Sequence, residues 1–206
     1  DEEIKISGLK GLSSVFNNIG LIYSSKGELG EALVYFEKSK DIKFELSQSK
    51  DSVLASQALK QLISSHVNIG SILDGLGNYN KALENYFSAS SLTEKTKNNA
   101  DITRANETEK NLCSIYDNIG IIYHRMKQYA EAEEYYNKAV KVATSINEKG
   151  TLANVLGNLS VVYMDAGKFK EAYETLKRAK EIREEINDRG GIGIIHNKLG
   201  DYYLAI

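Results

Sequence analysis

The stretch NIGIIYHRMKQYAEAEEYYNKA, residues 118–139, contains the pattern that decides the fold of this chain. Its opening triplet Asn-Ile-Gly ends at Gly120 and is followed by Ala132, then by Tyr136, then by Ala139. Small residues at three of these positions allow two helices to approach closely, and the large residue beside them fills the gap between the helices. The stretch therefore predicts a helical hairpin.

The same pattern recurs along the whole chain. The triplet begins at Asn18, Asn68, Asn118, Asn158 and, with lysine in place of asparagine, at Lys198, so the successive steps are 50, 50, 40 and 40 residues. In the first four units the alanine is Ala32, Ala82, Ala132 or Ala172, the large residue is Phe36, Tyr86, Tyr136 or Leu176, and the second small residue is Ser39, Ala89, Ala139 or Ala179. Because one register holds through four units, the sequence predicts an array of antiparallel hairpins.

The whole chain lacks proline, which favours helix nearly throughout its 206 residues. Gly27, Gly77 and Gly167 stand where the first helix of a unit should end, and glycine suits the left-handed conformation of such an end. The third unit has Lys127 at this place. The second helices are predicted to begin two residues later, at Leu29, Tyr79, Tyr129 and Phe169.

These residues resemble the tetratricopeptide repeat, whose signature runs aromatic, Leu-Gly, Tyr, Ala, aromatic and Pro. The resemblance implies an all-α fold, a right-handed superhelical solenoid of antiparallel helix hairpins, as a single array over residues 1–206. Its units are about 10–50, 51–100, 101–149 and 150–189, followed by a fifth first helix at 190–206. These units have 40 or 50 residues instead of the usual 34, and the place of the closing proline is taken by Phe44, Glu94, Thr144 and Glu184.

Two segments hold the ten extra residues of the longer units, within residues 44–65 and 94–115. The first is predicted to be helical, because Val53, Leu54, Ala58, Leu59 and Leu62 are apolar and fall at helical intervals. The second contains the polar run Lys97-Asn98-Asn99-Ala100-Asp101, which is typical of a mobile loop.

Charge and hydropathy narrow the classes of partner. Lysine and arginine number 26 against 28 aspartates and glutamates, so the formal charge of -2 provides no basic surface for nucleic acid or anionic lipid. No apolar run reaches the roughly 18 to 20 residues that a membrane helix needs, and the first residues do not resemble a signal peptide. We therefore expect a soluble segment, cytoplasmic or periplasmic, with neither a nucleic-acid partner nor direct membrane binding.

The sequence has no HExxH, GxxxxGK[ST], GxSxG or CxxC motif. Cys113 is the single cysteine and is expected to be a small buried residue. His66 and His196 occupy a position filled by Phe16 or Tyr116 in other units, so they are expected to pack and not to bind metal. Gly190-Gly191-Ile192-Gly193 is interpreted as a flexible turn between helices, because no strand precedes it. We predict a non-catalytic protein with no metal and no cofactor.

One face of the first helices carries side chains suited to hold a polypeptide. In arrays similar to this one, an asparagine ladder often holds the main chain of a partner, because asparagine offers both a donor and an acceptor. The alternative, equally open, is that each asparagine bonds to the neighbouring helix. Helix geometry adds the neighbours on the same face. The predicted binding residues are Asn18, Asn68, Asn118, Asn158, Leu21, Asp117, Ile121, His124, Arg125, Val161 and Met164.

The resemblance implies a protein-interaction scaffold whose groove captures an extended or helical segment of a protein or peptide. The long units look similar to the arrays of bacterial sensor kinases and regulators and of polarity adaptors. We expect the partner-sensing region of a larger bacterial signalling or regulatory protein, and the start at Asp1 without methionine favours a piece of a longer chain. A free-standing adaptor and an accessory domain of an enzyme remain alternatives.

Overall fold

A computed structural model describes residues 2–97 and 102–206, and helices account for nearly all of this range. The helices are α1 (Glu2–Ser25), α2 (Leu29–Ser47), α3 (Ser52–Gly75), α4 (Tyr79–Lys97), α5 (Ile102–Arg125), α6 (Tyr129–Ser145), α7 (Lys149–Asp165), α8 (Phe169–Glu185) and α9 (Arg189–Ala205). No strand occurs within these described residues. The predicted all-α architecture of helix hairpins is confirmed, and no helix in the described ranges has the length and apolarity needed to cross a bilayer.

The contacts between helices divide the chain into two compact units, Asp1–Thr96 and Lys97–Ile206. In the first unit α1 packs on α2 and α2 on α3, and in the second each of α5 to α8 packs on the helix that follows it. Contacts between sequence neighbours are what a repeat architecture requires. That a single array continues across all 206 residues stays a prediction.

The hairpins close at the small residues that the sequence pattern marks. A Cβ added at Gly20 would lie 2.9 Å from the ring of Phe36, and one added at Gly120 would lie 3.0 Å from the ring of Tyr136. Ala132 of the facing helix has no exposed surface. The glycine thus admits an aromatic ring directly against the helix backbone, and the predicted close approach is confirmed.

The turns inside the hairpins have the predicted left-handed residue. Gly27, Gly77 and Gly167 have φ angles of 79°, 73° and 72°, and Lys127 adopts the same region with a φ of 59°. Glycine populates this region without steric cost, whereas a residue with a Cβ is strained there. The second helices begin at the four residues predicted.

The extra residues of the 50-residue repeats make their helices longer than those of the 40-residue repeats. α3 and α5 have 24 residues against 17 in α7, and α4 has 19 against 17 in α6. The predicted helix over residues 53–62 is confirmed, and α3 begins after Asp51, whose carboxylate accepts hydrogen bonds from the backbone N–H groups of Val53 and Leu54. In the second segment Lys97 ends α4, and the predicted loop residues 98–101 lie outside the described residues.

The glycine cluster at residues 190–193 corrects an expectation. It forms the first turn of α9 and not a flexible turn. The carboxylate of Asp188 accepts a hydrogen bond from the backbone N–H of Gly191 at 2.9 Å, and its other oxygen accepts one from Nη1 of Arg183 at 2.5 Å. A Cβ at residue 191 would lie 2.5 Å from Cδ of Arg183. The cluster is helical because a cap and a packed arginine outweigh the low helix propensity of glycine.

Candidate functional site

Two hydrogen bonds connect the first helices of consecutive hairpins in the second unit. Nδ2 of Asn158 on α7 donates to Oδ1 of Asp117 on α5 at 3.2 Å. Nε2 of His124 on α5 lies 2.7 Å from Oδ2 of Asp165 on α7. On each helix the two bonding residues are seven positions apart, which is about two turns or roughly 10.5 Å. We call the surface between these two bridges, on α5 and α7, the groove.

Apolar side chains lie in the groove between the two bridges. Ile121 stands one turn after Asp117 and packs against the core of the second unit while remaining partly exposed. Val161 and Met164 are partly exposed on α7, within the interval that the two bridges define. The groove therefore alternates polar, apolar and polar along the helix axes.

The carboxylate of Asp117 keeps unused capacity to accept hydrogen bonds. Burial raises the pKa of Asp117, and the hydrogen bond from Asn158 opposes that shift. Asp117 is partly exposed and receives a hydrogen bond from Asn158. Because a carboxylate can accept several hydrogen bonds, Asp117 can accept a further donor.

The sequence left open whether each asparagine bonds to the neighbouring helix or is available to a partner, and the four asparagines differ in this respect. Asn158 bonds to the neighbouring first helix. Asn18 and Asn68 in the first unit and Asn118 in the second have no side-chain hydrogen bond within the residues that the structure describes, and all three are at least partly exposed. Asn118 follows Asp117 on α5 and is separated from it by about 100° around the helix axis. Its amide donor and acceptor are both available to a ligand.

The remaining predicted site residues lie at the margins. Arg125 is exposed at the end of α5, and Leu21 is 49 % exposed on α1 of the first unit. Sequence reasoning left Asp165 out of the predicted binding set and did not predict that Asp165 holds His124, because that pairing depends on the offset between α5 and α7. It also left Lys198 outside the predicted binding set, although the stem of Lys198 lies over Gly157, 3.5 Å from where a Cβ would stand.

The electrostatics at Lys198 follow from its position. Burial lowers the pKa of its ammonium, and the nearby carboxylate of Asp201 opposes that shift. Within the described residues, no group of three histidine, cysteine or acidic side chains is arranged to hold a metal ion. The groove offers hydrogen-bond donors and acceptors around an apolar centre.

Known proteins share this architecture. Two tetratricopeptide repeat family models match the sequence, one over residues 111–185 and the other over residues 13–45 and 63–96. A search of the curated proteins found no match.

Among solved structures, aspartyl phosphate phosphatase F from Bacillus subtilis is similar with a TM-score of 0.75 and 16 % identity, over 92 % of this chain and 45 % of that one. The apo form of RapI has a TM-score of 0.71 and 16 % identity, over 95 % of this chain and 69 % of that one. A putative kinesin light chain from Podosopora anserina with TPR-like repeats has a TM-score of 0.70 and 16 % identity, over 97 % and 87 %. The chain thus spans less than half the length of the phosphatase.

At 16 % identity these likenesses establish the fold alone. The family models, in contrast, match the sequence of four hairpins and together cover about two thirds of the chain. The chain belongs to the tetratricopeptide repeat family.

Proposed function

We propose that this chain is a non-catalytic scaffold that holds a segment of a partner protein against the first helices of its hairpins. Repeats of this family serve generally as protein-interaction scaffolds. The observation that carries the proposal is the groove itself. The partly exposed carboxylate of Asp117 lies one helical turn before Ile121, which with Val161 forms an apolar patch, and the partly exposed amide of Asn118 follows Asp117 on the same helix.

An extended segment fits these dimensions. The roughly 10.5 Å between the bridges corresponds to about three residues of extended chain at about 3.3 Å per residue. A main-chain N–H of the segment would donate to Asp117, and a main-chain carbonyl would accept from the amide of Asn118. One apolar side chain would then lie over Ile121 and Val161. Recognition of this kind depends weakly on the sequence of the partner except at that apolar position.

We also propose that the array is the partner-sensing part of a larger bacterial signalling or regulatory protein. The likeness of fold to aspartyl phosphate phosphatase F from Bacillus subtilis, a larger bacterial protein of which this chain spans 45 %, supports that placement. Reading the gene on both sides of this segment tests it. An effector or sensor module in the same reading frame would agree with the proposal, and a frame that encodes only a few further helices would contradict it.

The groove is tested by crosslinking capture from lysate of the source organism, with variants chosen from the hydrogen bonds above. Asn118→Ala removes an amide with no internal partner, so it should weaken capture of a specific partner without changing the melting temperature. Asn158→Ala removes an internal bridge and serves as the matched control for the loss of one asparagine. Its main expected effect is a lower melting temperature.

The combined Asn18→Ala, Asn68→Ala and Asn118→Ala variant extends the test to both units. Loss of the same crosslinked partner from this folded variant would support binding through the first helices. Retention of that partner at wild-type yield would place binding on another surface and would contradict the proposal.

A further inference from the structure

The first unit contains a pocket that the groove does not include. It lies between α2, α3 and α4 and has a volume of about 460 Å³. Phe44, Leu62, Phe87 and Leu92 supply its apolar walls. This volume is in the range of pockets that bind small molecules.

The pocket and the asparagine face lie on opposite sides of α3. His66 lines the pocket, whereas Asn68 carries the marker position of the same helix. Two residues apart on an α-helix are separated by about 200° around the axis. A molecule in the pocket therefore contacts a different surface from a segment bound at Asn68.

Short side chains open this pocket. Ser88 and Ser91 line it on α4, and the corresponding positions of α6 in the second unit are Lys138 and Lys141. In α8 the same two positions are Arg178 and Glu181. Long charged side chains thus occupy these registers in α6 and α8, and two hydroxyl groups occupy them here.

The hydrogen bonds of His66 fix its tautomer. Nδ2 of Asn85 donates to the backbone carbonyl of Lys81 at 2.9 Å, so the amide oxygen Oδ1 is the atom that faces Nδ1 of His66 at 2.9 Å. Since Oδ1 can only accept, Nδ1 carries the proton. Burial lowers the pKa of His66, and the positive charge of Lys40 lowers it further. The hydrogen bond to Asn85 and the charge of Glu37 oppose this shift, but the pKa stays below its usual value, so the ring is neutral at pH 7.

The other ring nitrogen of His66 is therefore a hydrogen-bond acceptor. Nε2 of a neutral imidazole protonated on Nδ1 has a free lone pair. His66 is partly exposed and lines the pocket, and the hydrogen bond that it forms within the described residues uses Nδ1. The pocket thus combines aromatic and aliphatic walls with one acceptor.

We propose that this pocket binds an aromatic side chain bearing an N–H or O–H donor, tryptophan or tyrosine, presented by a partner protein. The ring lies between the walls formed by Phe44 and Phe87, and its donor bonds to Nε2 of His66. Aromatic rings pair favourably with one another beyond the area they bury.

Charge and access identify the class of occupant. None of the seven lining side chains is charged at neutral pH, so the pocket complements a neutral group. Phe44 at the rim is 57 % exposed, which leaves the pocket open on the protein surface. A side chain attached to a polypeptide can enter such an opening, and aromatic anchors of this kind carry much of the energy in protein interfaces.

The test uses the intrinsic fluorescence of a tryptophan probe. The chain contains no tryptophan, so emission excited at about 295 nm reports the probe without background from the protein. The probes are the peptide acetyl-Gly-Ser-Trp-Ser-Gly-amide, the same peptide with 1-methyltryptophan, which lacks the donor, and free indole. We expect a saturable blue shift with the first peptide and a dissociation constant on the order of 1 mM.

Two variants and one control locate the site. Ser88→Lys with Ser91→Lys fills the pocket with the residues that α6 carries and should weaken binding of the tryptophan peptide at least about tenfold. His66→Phe keeps an aromatic ring, as Phe16 does in the first repeat, but removes the acceptor. It should weaken the tryptophan peptide about fivefold to tenfold and leave the methylated peptide unchanged. Ser14→Lys with Ser64→Lys adds the same charge at two exposed serines of the same unit.

Each result bears on the proposal. It is supported if the control variant binds like the wild type while the two pocket variants bind more weakly. It is overturned if the pocket variants bind like the wild type, or if the methylated peptide binds as tightly as the unmethylated one. Tighter binding of free indole than of the peptide would overturn the assignment to a partner protein in favour of a free aromatic molecule.

Discussion

The ammonium of Lys43 donates a hydrogen bond to the hydroxyl of Ser65 at 2.8 Å, and both side chains are buried. Within the described part of the chain no carboxylate pairs with this ammonium. A buried charge with a single neutral partner is costly, and burial accordingly lowers the pKa of Lys43. The second unit has Ala143 and Val155 at the corresponding positions, both buried.

Replacing this polar pair by apolar residues should stabilise the first unit. The double variant Lys43→Met and Ser65→Val removes a buried charge and fills similar space, so the free energy of unfolding should rise by about 1–3 kcal/mol. Ser65→Val alone should lower it, because the ammonium loses its acceptor. Urea denaturation followed by circular dichroism measures both. A double variant less stable than either single variant would contradict this account of the pair.

The stability difference at Lys43 should depend on pH. The pKa of Lys43 is lower in the folded state than its ordinary value of 10.5, so the unfolded chain binds more protons between the two values. Stability contributed by this group therefore rises with pH within that window and reaches its maximum above 10.5. Urea denaturation of the wild type and Lys43→Met at pH 7, 8, 9 and 10 should show their difference shrinking as the pH approaches 10. A constant difference would argue against a buried ammonium.

Cys113 should react with thiol reagents only when the second unit opens. Its side chain is fully buried, its Sγ donates to the carbonyl of Ala139 at 3.4 Å, and burial raises the pKa of the thiol to about 11. The thiolate is the reactive form, so burial and protonation act in the same direction. At pH 8 the native chain should show almost no reaction with Ellman's reagent, and one thiol per chain should react in 6 M guanidinium. Rapid reaction of the native chain would contradict the packing at this position.

Gly191 and Gly193 form a matched pair of sites on α9. Gly191→Ala should lower the free energy of unfolding by about 1–3 kcal/mol, because the new methyl group would overlap Cδ of Arg183 and the carboxylate of Asp188. Gly193→Ala meets nothing within 4 Å and should raise the free energy by about 0.5–1 kcal/mol through helix propensity. Thermal or urea denaturation of both variants compares them directly. Equal effects would show that Arg183 does not pack over Gly191.

The hairpins could be predicted from the sequence because their determinants are local. Each determinant acts within one repeat, so its recurrence at a fixed register reveals it. These determinants are the Asn-Ile-Gly triplet, the alanine that follows it, and Gly27 or Gly167 at the turn. The first turn of α9 was predicted wrongly. Asp188 is a local N-cap three residues before Gly191, a signal that the sequence contains and that the glycine cluster outweighed in the prediction. The packing of Arg183 over Gly191 depends on the fold and leaves no periodic signal.

The candidate site could be predicted as a face but not as a set of contacts. Helix geometry places Asp117, Ile121 and His124 on one side of α5 whatever surrounds them. Which polar groups bond to each other depends on how far α7 is offset along its axis relative to α5. Sequence therefore could not show that Asn158 is occupied while Asn118 is available, and the binding role of both stays a prediction.

The 24-residue α3 and the 17-residue α7 differ by about two full turns, yet in both the triplet ends five residues before the C-terminal end of the helix. Additions of whole turns at the far end extend a hairpin outward and leave its close-packed centre untouched. Size and specificity can thus vary separately in such a protein. A longer hairpin of this kind presents more surface to solvent without any change in the residues that hold its two helices together.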